Sequence, residues 1–491
     1  MALADPGAAF RRLSGGAAMS ENLYERLAAG FPADRGQPCF LLPDGGEISC
    51  GDLEAATARI AGRLVAEGVK PGDRVVAQTE KSPQAVMLYL ATLKAGAVFT
   101  PLNTAYTAAE VEYFLADAEP ALFVRDAEAF AAGAVGCTPL TEAVARGAGD
   151  LASLIYTSGT TGRSKGAMLS HGNLAHNALA LHRAWGFSPR DVLLHALPIF
   201  HVHGLFVALH CAFLSGAPMI WLPRFSEAEV LAGLRRATVM MGVPTFYTRL
   251  LASPDFTREA AGRVRLFISG SAPLLESTFA EFEQRTGQRI LERYGMSEAV
   301  IITSNPLDGE RVAGSVGYPL PGVDLRIDGG ETGVIQIKGP SVFSGYWRMP
   351  EKTREEFTAD GCFITGDVGR QDPDGRVWIS GRAKDLIISG GFNVYPKEVE
   401  LVLDELPGVE ESAVIGVPHH DFGEAVTAVI KGRGEEAEII AAARARLAAF
   451  KVPKRVFFVD ELPRNAMGKV QKNRLRDTYG ATFSRDPAAR S

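Results

Sequence analysis

The stretch Tyr156-Thr-Ser-Gly-Thr-Thr-Gly-Arg-Ser-Lys-Gly166 organises this chain of 491 residues. It follows an apolar run, Leu151 to Tyr156, that reads as a buried strand. It precedes a helix expected from Ser170, with Leu174, Ala178 and Leu181 on one face. Gly159, Gly162 and Gly166 let backbone amides close on an anion, and Lys165 brings positive charge. Thr157, Ser158, Thr160, Thr161 and Ser164 add hydroxyl donors. Such a loop is suited to wrapping phosphate. It differs from the loop of the common nucleotide triphosphatases, because Lys165 is followed by Gly166 and not by Ser or Thr. On composition alone it also reads as a flexible surface turn.

On either side the chain alternates helix and strand. Gly51 to Glu67 places Leu53, Ala56, Ile60 and Leu64 on one stripe, with Gly68 as a C-terminal stop. The strand Arg74 to Ala77 leads to a helix opened by Ser82-Pro83 and running to about Lys94. Thr107-Ala-Ala-Glu110 is a capping box, and Ser226-Glu-Ala-Glu229 repeats the device. Strands are expected at Ala121 to Val124, Thr238 to Val243 and Val264 to Ser269, and helices around Phe246 to Leu251 and Leu275 to Thr286. This order predicts parallel sheets covered by helices up to about residue 300.

After Asn305 short β segments separated by Gly/Pro turns predict a small β-rich lobe. Asp372-Pro-Asp-Gly375 reads as the turn of a hairpin between Phe363–Val368 and Arg376–Ser380. Beyond Lys384 come a helix near Pro396 to Leu406, strands near Ser412 to Val417 and Ala425 to Lys431, and a helix from Glu438 to Ala449. The expected fold class is α/β: a large N-terminal domain of two helix-covered sheets plus a β-barrel-like lobe, then a small mobile α+β C-terminal domain. The expected boundaries are a disordered tail over 1–18, an N-terminal domain over 19–383 and a C-terminal domain over 384–491.

Composition narrows the class. With 51 Lys+Arg against 57 Asp+Glu the net charge is −6, which argues against a nucleic-acid binder. Apolar residues make up 46% and charged residues 22%, ordinary for a globular protein, and no apolar run reaches membrane-spanning length. The five cysteines are scattered without metal-like spacing, as suits a reducing cytoplasm, the expected location.

Four further stretches carry chemistry. Arg293-Tyr-Gly-Met-Ser-Glu298 holds a glycine turn beside a carboxylate able to hold Mg²⁺ together with phosphate oxygens. Phe363-Ile-Thr-Gly-Asp367 puts an aspartate at the end of a predicted strand, where it would accept hydrogen bonds from ribose hydroxyls. Pro463-Arg-Asn-Ala-Met-Gly-Lys469 is a polar loop whose lysine would reach an anion. Pro198-Ile-Phe-His-Val-His-Gly204 concentrates two of nine histidines; without Cys or carboxylate partners it reads as a pocket wall and not a metal site. Each motif alone also reads as an ordinary turn, a capping group or a solvated side chain.

Together, in this order, these stretches resemble the adenylate-forming (AMP-binding) acyl-CoA synthetase superfamily, over about residues 21 to 478. Gly381-Arg-Ala-Lys-Asp385 with Gly390-Gly391 completes the pattern. The resemblance implies ATP, Mg²⁺ and coenzyme A, with an acyl-adenylate formed first and a thioester second. It implies that Thr157, Ser158, Gly159, Thr160, Thr161, Gly162 and Lys165 hold the β- and γ-phosphates. It further implies that Ser297 contacts the α-phosphate, that Glu298 binds Mg²⁺, and that Asp367 takes the ribose with Arg382 nearby. Ser269, Gly270, Ser271, Ala272 and Pro273 would frame the adenine with Glu292, Arg293 and Tyr294, leading into Gly295 and Met296. Lys469 would serve adenylation, Lys384 would be the hinge, and Gly390 and Gly391 would line the CoA tunnel. Ser297 stands where threonine is commoner, and both supply the hydroxyl.

The acid is set by departures from the wider pattern. Arg293 stands where aryl and fatty acyl ligases frequently have a small residue, and it would block a long apolar chain while pairing with a second carboxylate. With His203 it resembles the malonate-activating members, so malonate is the expected acid, with methylmalonate beside it. Another short or medium-chain acid, or a carrier-protein-loading adenylation enzyme, is the alternative. Lys469 also resembles sites of regulatory acetylation, which would make a lysine acetyltransferase and deacetylase its partners.

Overall fold

The computed structural model of the chain describes residues 20–157, 164–389, 392–419, 421–465 and 469–483. Residues 1–18 and Ser158, Gly159, Thr160, Thr161, Gly162, Gly390 and Gly391 lie outside the described residues.

Local sequence places the first elements. Ser49 caps the helix Cys50–Ala66 by a capping box with Asp52, and Thr107 caps Ala108–Ala118 in the same way with Glu110. These reciprocal bonds satisfy two N–H groups that a helix end would leave orphaned. The first helix then buries Leu53, Ile60 and Leu64, each worth roughly 1.5–3 kcal/mol when fully withdrawn from water. Ser226 does precede the helix Glu227–Leu234, but its hydroxyl makes no capping hydrogen bond. That helix is held by its buried Val230 and Leu234 instead.

Five strands form one sheet in the order Leu122–Val124, Arg74–Ala77, Val98–Pro101, Leu151–Thr157, Lys165–Ser170. Its first four strands are parallel, and the last returns antiparallel. The expected path of strand, loop and helix is thereby corrected: the glycine-rich stretch closes a hairpin, with Thr157 paired to Lys165, before the helix His171–Ala184 begins. The reason lies in Lys165 to Ser170, where Ala167 and Leu169 are buried and Met168 is less so. That alternation suits an edge strand, whose pairing satisfies the backbone of Leu151–Thr157.

The second sheet carries a parallel run, Met219–Trp221, Leu193–His195, Val239–Gly242, Leu266–Ser269 and Leu291–Tyr294. Pro38–Leu41 and Glu47–Ser49 extend one edge. Beyond Leu291–Tyr294 the hydrogen bonding continues antiparallel through Thr303–Ser304, Ser315–Pro319, Val377–Arg382, Phe363–Gln371, Gly333–Lys338 and Asp324–Asp328. The β-rich lobe thus grows from the same hydrogen-bonded path. The expected hairpin around Asp372–Gly375 is present, but the strand before it runs on to Gln371, so Asp367 lies mid-strand beside a bulge and not at a strand end.

A third sheet joins Phe392–Val394, Ile387–Ser389, Gly423–Gly432, Val409–His419 and Arg455–Val459. It packs its own apolar clusters, one around Val399, Leu403, Val426 and Ile430 and another around Ile415, Leu462 and Leu475. Among the described residues no helix is long and apolar enough to cross a membrane.

Candidate active site

Parallel strands deliver side chains to their carboxyl ends, where open α/β sheets bind ligands. Ser269, Gly270 and Ser271 follow one such strand, and Glu292, Arg293 and Tyr294 end the next. Arg293 is buried, and its guanidinium packs on Gly270: a Cβ there would fall 2.7 Å from Nη1. Nε and Nη2 of Arg293 have no hydrogen-bond partner among the described residues, and neither do His203 Nε2 and Ser269 Oγ. Burial pushes Arg293 down to about 9, against Tyr247 beside it. Burial, reinforced by Arg293, also holds His203 well below its ordinary value, so its imidazole is neutral. Ser271 Oγ lies 3.4 Å from His203 Nδ1, and Ser271 holds the left-handed backbone conformation, φ 70°. An unpaired buried guanidinium beside unpaired nitrogen and hydroxyl groups is costly without a ligand. Their chemistry suits an anion.

The loop after Tyr294 brings Ser297 and Glu298 to the same rim. Glu298 is buried, and burial raises its carboxyl pKa. Tyr346 Oη lies 3.0 Å from Glu298 Oε1 and 2.6 Å from Glu356 Oε2. Lys165 Nζ donates to Glu356 Oε1 at 2.7 Å and sits 4.1 Å from the Tyr346 ring centre. Burial would raise Glu356, but its bonds with Lys165 and Tyr346 keep it below the usual carboxylate range. Among the described residues no three His, Cys, Asp or Glu side chains gather as a metal cage. A lone buried carboxylate fits Mg²⁺ that completes its shell with phosphate oxygens and water.

Asp367 is buried and accepts from the Tyr294 hydroxyl. Arg382 Nε lies 2.8 Å from Asp367 Oδ1, and the two residues are cross-strand partners. Lys384 sits in the short 3-10 turn Ala383–Asp385, whose Asp385 pairs with Arg476 Nη2 at 2.6 Å. Glu292 is buried, accepts from Gly314 N–H at 3.2 Å, and is pushed up to about 8 by burial.

Lys469 arrives from the far end of the chain. Lys469 is exposed, and the protein around its ammonium holds its pKa below the ordinary value. Arg382 and Arg293 lower it further, and Asp367 and Glu298 oppose them. His201, pushed down to about 3 by burial, also feels Lys469 and Arg293. Lys469 thus lies within electrostatic range of Arg293, Glu298, Asp367 and Arg382, and Lys165 within range of Glu298, while Tyr294 bonds Asp367 and His203 meets Ser271 and Arg293. Thr157 pairs with Lys165, Ala272 and Pro273 continue the loop from Ser269, Gly270 and Ser271, and Gly295 and Met296 lead into Ser297. Lys384, in the 3-10 turn, feels Arg382 and Asp367. Sequence reasoning missed Tyr346 and Glu356; no local pattern marks them, and they meet Lys165 and Glu298 only in space.

The family described as AMP-binding enzyme matches residues 24–347, and its C-terminal domain matches residues 398–469. A probable CoA ligase of Humulus lupulus is 41% identical over 66% of this chain and 61% of its own length, so the chain spans about three-fifths of that relative. A malonate–CoA ligase of Arabidopsis thaliana is 35% identical over 88% of this chain and 85% of its own. The crystal structure of ATP-bound MatB from Rhodopseudomonas palustris superposes with a TM-score of 0.92 at 51% identity, covering 95% of this chain and all of that one. The chain belongs to the AMP-binding enzyme family.

Proposed function

We propose that this protein ligates malonate to coenzyme A at the expense of ATP, forming malonyl-adenylate and then malonyl-CoA, with methylmalonate as a second acid. The observation that carries the acid is Arg293. Its buried guanidinium, with Nε and Nη2 unpartnered beside His203 Nε2, matches the distal carboxylate of a short dicarboxylic acid. A long alkyl chain would have to lie against that charge.

Attack of the proximal carboxylate on the α-phosphate crowds negative charge, so catalysis here is placement of positive charge. Lys165 and Thr157, with the loop between them, hold the outer phosphates; Ser297 meets the α-phosphate; Asp367 and Arg382 hold the ribose. Ser269 to Pro273 and Glu292 to Tyr294 frame the adenine. Glu298 would hold Mg²⁺, which would supply charge neutralisation for the phosphates. Lys469 bridges the acid and the α-phosphate, and its closeness to Asp367, Glu298 and Arg293 supports that role. Once pyrophosphate leaves, the segment from Lys384 onward, with its own sheet and core, turns about that residue. Gly390 and Gly391 then replace Lys469 and line the CoA tunnel, and the CoA thiol attacks the adenylate. Acetylation of Lys469 by a lysine acetyltransferase would remove the charge adenylation needs, and a deacetylase would restore it.

The test is a substrate panel with ATP, Mg²⁺ and CoA, scored by CoA consumption. Malonate is expected to be converted far faster than acetate, octanoate or coumarate. Preference for octanoate would overturn the acid assignment.

A further inference from the structure

Lys81 lies outside every motif above. It follows the strand Arg74–Ala77 of the first sheet and reaches the carboxyl ends of two strands in the second. Its ammonium donates to the His195 carbonyl at 2.8 Å and the Leu222 carbonyl at 2.6 Å, and stands 3.0 Å from His195 Nδ1. The Trp221 ring centre is 4.3 Å away. His195 Nε2 lies 3.0 Å from the Gly204 carbonyl, which can only accept, so the ring hydrogen is on Nε2 and Nδ1 is left as an acceptor for an N–H of Lys81. His195 is itself buried and packs against Trp221, leaving no second orientation open.

Gly204 belongs to a π-helical turn, His203–Ala208, and its carbonyl also accepts from the Leu209 N–H. Such wide turns are rare and collect at functional sites. A Cβ on Gly204 would fall 2.9 Å from the Pro198 carbonyl carbon, so the turn is packed to its backbone. The first residue of that turn is His203, whose ring meets Ser271 and the Arg293 pocket.

We propose that Lys81 and His195 are positioning residues: Lys81 fixes the tautomer of His195, His195 fixes the Gly204 carbonyl, and the turn so fixed sets the reach of His203 into the acid pocket. The inference rests on the reading of Arg293 and His203 as the acid-binding pair. Neither Lys81 nor His195 is assigned a contact with the acid or the nucleotide.

Three variants test it: Lys81→Met, His195→Asn and His195→Gln. Asparagine places a polar atom near Nδ1 and keeps the Lys81 contact but not the one to Gly204; glutamine places a donor near Nε2 and keeps Gly204. Lys81→Met and His195→Asn are expected to raise the malonate KM about tenfold, with His195→Gln within about threefold and the ATP KM within about twofold of wild type. Equal malonate KM in the two His195 variants, or parallel loss of malonate and ATP use, would overturn the relay. Selective ¹⁵N-histidine labelling reads the same device without substrate. The His203 ring resonances should move in His195→Asn and return in His195→Gln; unmoved resonances would overturn the relay whatever acid is used. A wild-type protein that ignored malonate would instead overturn the acid assignment alone.

Discussion

Arg293, near the end of its strand, and Gly270, just past the end of the neighbouring parallel strand, are packed so that the guanidinium occupies the space where any other residue at 270 would carry its Cβ. Arg293→Gly removes the proposed partner of the distal carboxylate. A charge-assisted pair is worth about 1.5–3 kcal/mol, so kcat/KM for malonate should fall roughly ten- to a hundredfold with ATP binding retained. Gly270→Ala should raise the malonate KM as well, by displacing the charge without deleting it. Unchanged malonate kinetics in both proteins would sink the assigned role.

Lys165, beside the glycine-rich stretch, is paired with Glu356 at 2.7 Å. If ATP must draw Lys165 away, Glu356→Gln should tighten ATP binding by about two- to fivefold, the equivalent of the roughly 0.5–1 kcal/mol of a modest ion pair. Calorimetry without Mg²⁺ reads this directly. Weaker binding would mean that Glu356 instead holds Lys165 in its working position.

Lys469 stands close to Asp367, Glu298 and Arg293 in this arrangement. Lys469→Ala should suppress malonate-driven exchange of pyrophosphate into ATP by about a hundredfold or more, as expected when a preorganised transition-state donor is lost. It should spare thioester formation from supplied malonyl-adenylate. Loss of both half-reactions would point to misfolding.

Glu292 carries a pH signature. Burial pushes its carboxyl from 4.5 to about 8 in the fold. Between those values the native protein keeps a proton that the unfolded chain has released, so stability is fully present below the lower value and declines as pH rises towards the upper. The decline is about 1.4 kcal/mol per pH unit at most. Glu292→Gln, neutral at every pH, should flatten this slope. Thermal melts from pH 5 to 8.5 with parallel slopes in the two proteins would refute the assignment.

Much of this was legible in the chain. The stripe over Gly51–Glu67, the capping box at Thr107 and the start at Ser170 placed helices within a residue or two, because those signals are local. The Asp372–Gly375 turn marked its hairpin for the same reason. The strand Lys165–Ser170 escaped, since six residues beside a glycine-rich stretch do not declare a partner. Glu298, Asp367, Arg293 and Lys469 were found because each sits in a recognisable run. Tyr346, Glu356, Lys81 and His195 sit in none.

What the sequence by itself determined is the order of motifs, the family they compose and the presence of an arginine where a long acyl chain would pass. Tertiary structure alone decided that Arg293 is buried against Gly270 with two nitrogens unpaired, that Lys165 is engaged by Glu356, and that Lys81 spans two sheets to reach His195. Desolvation and pairing depend on what surrounds a group in three dimensions. Residues up to 191 positions apart supply those surroundings here.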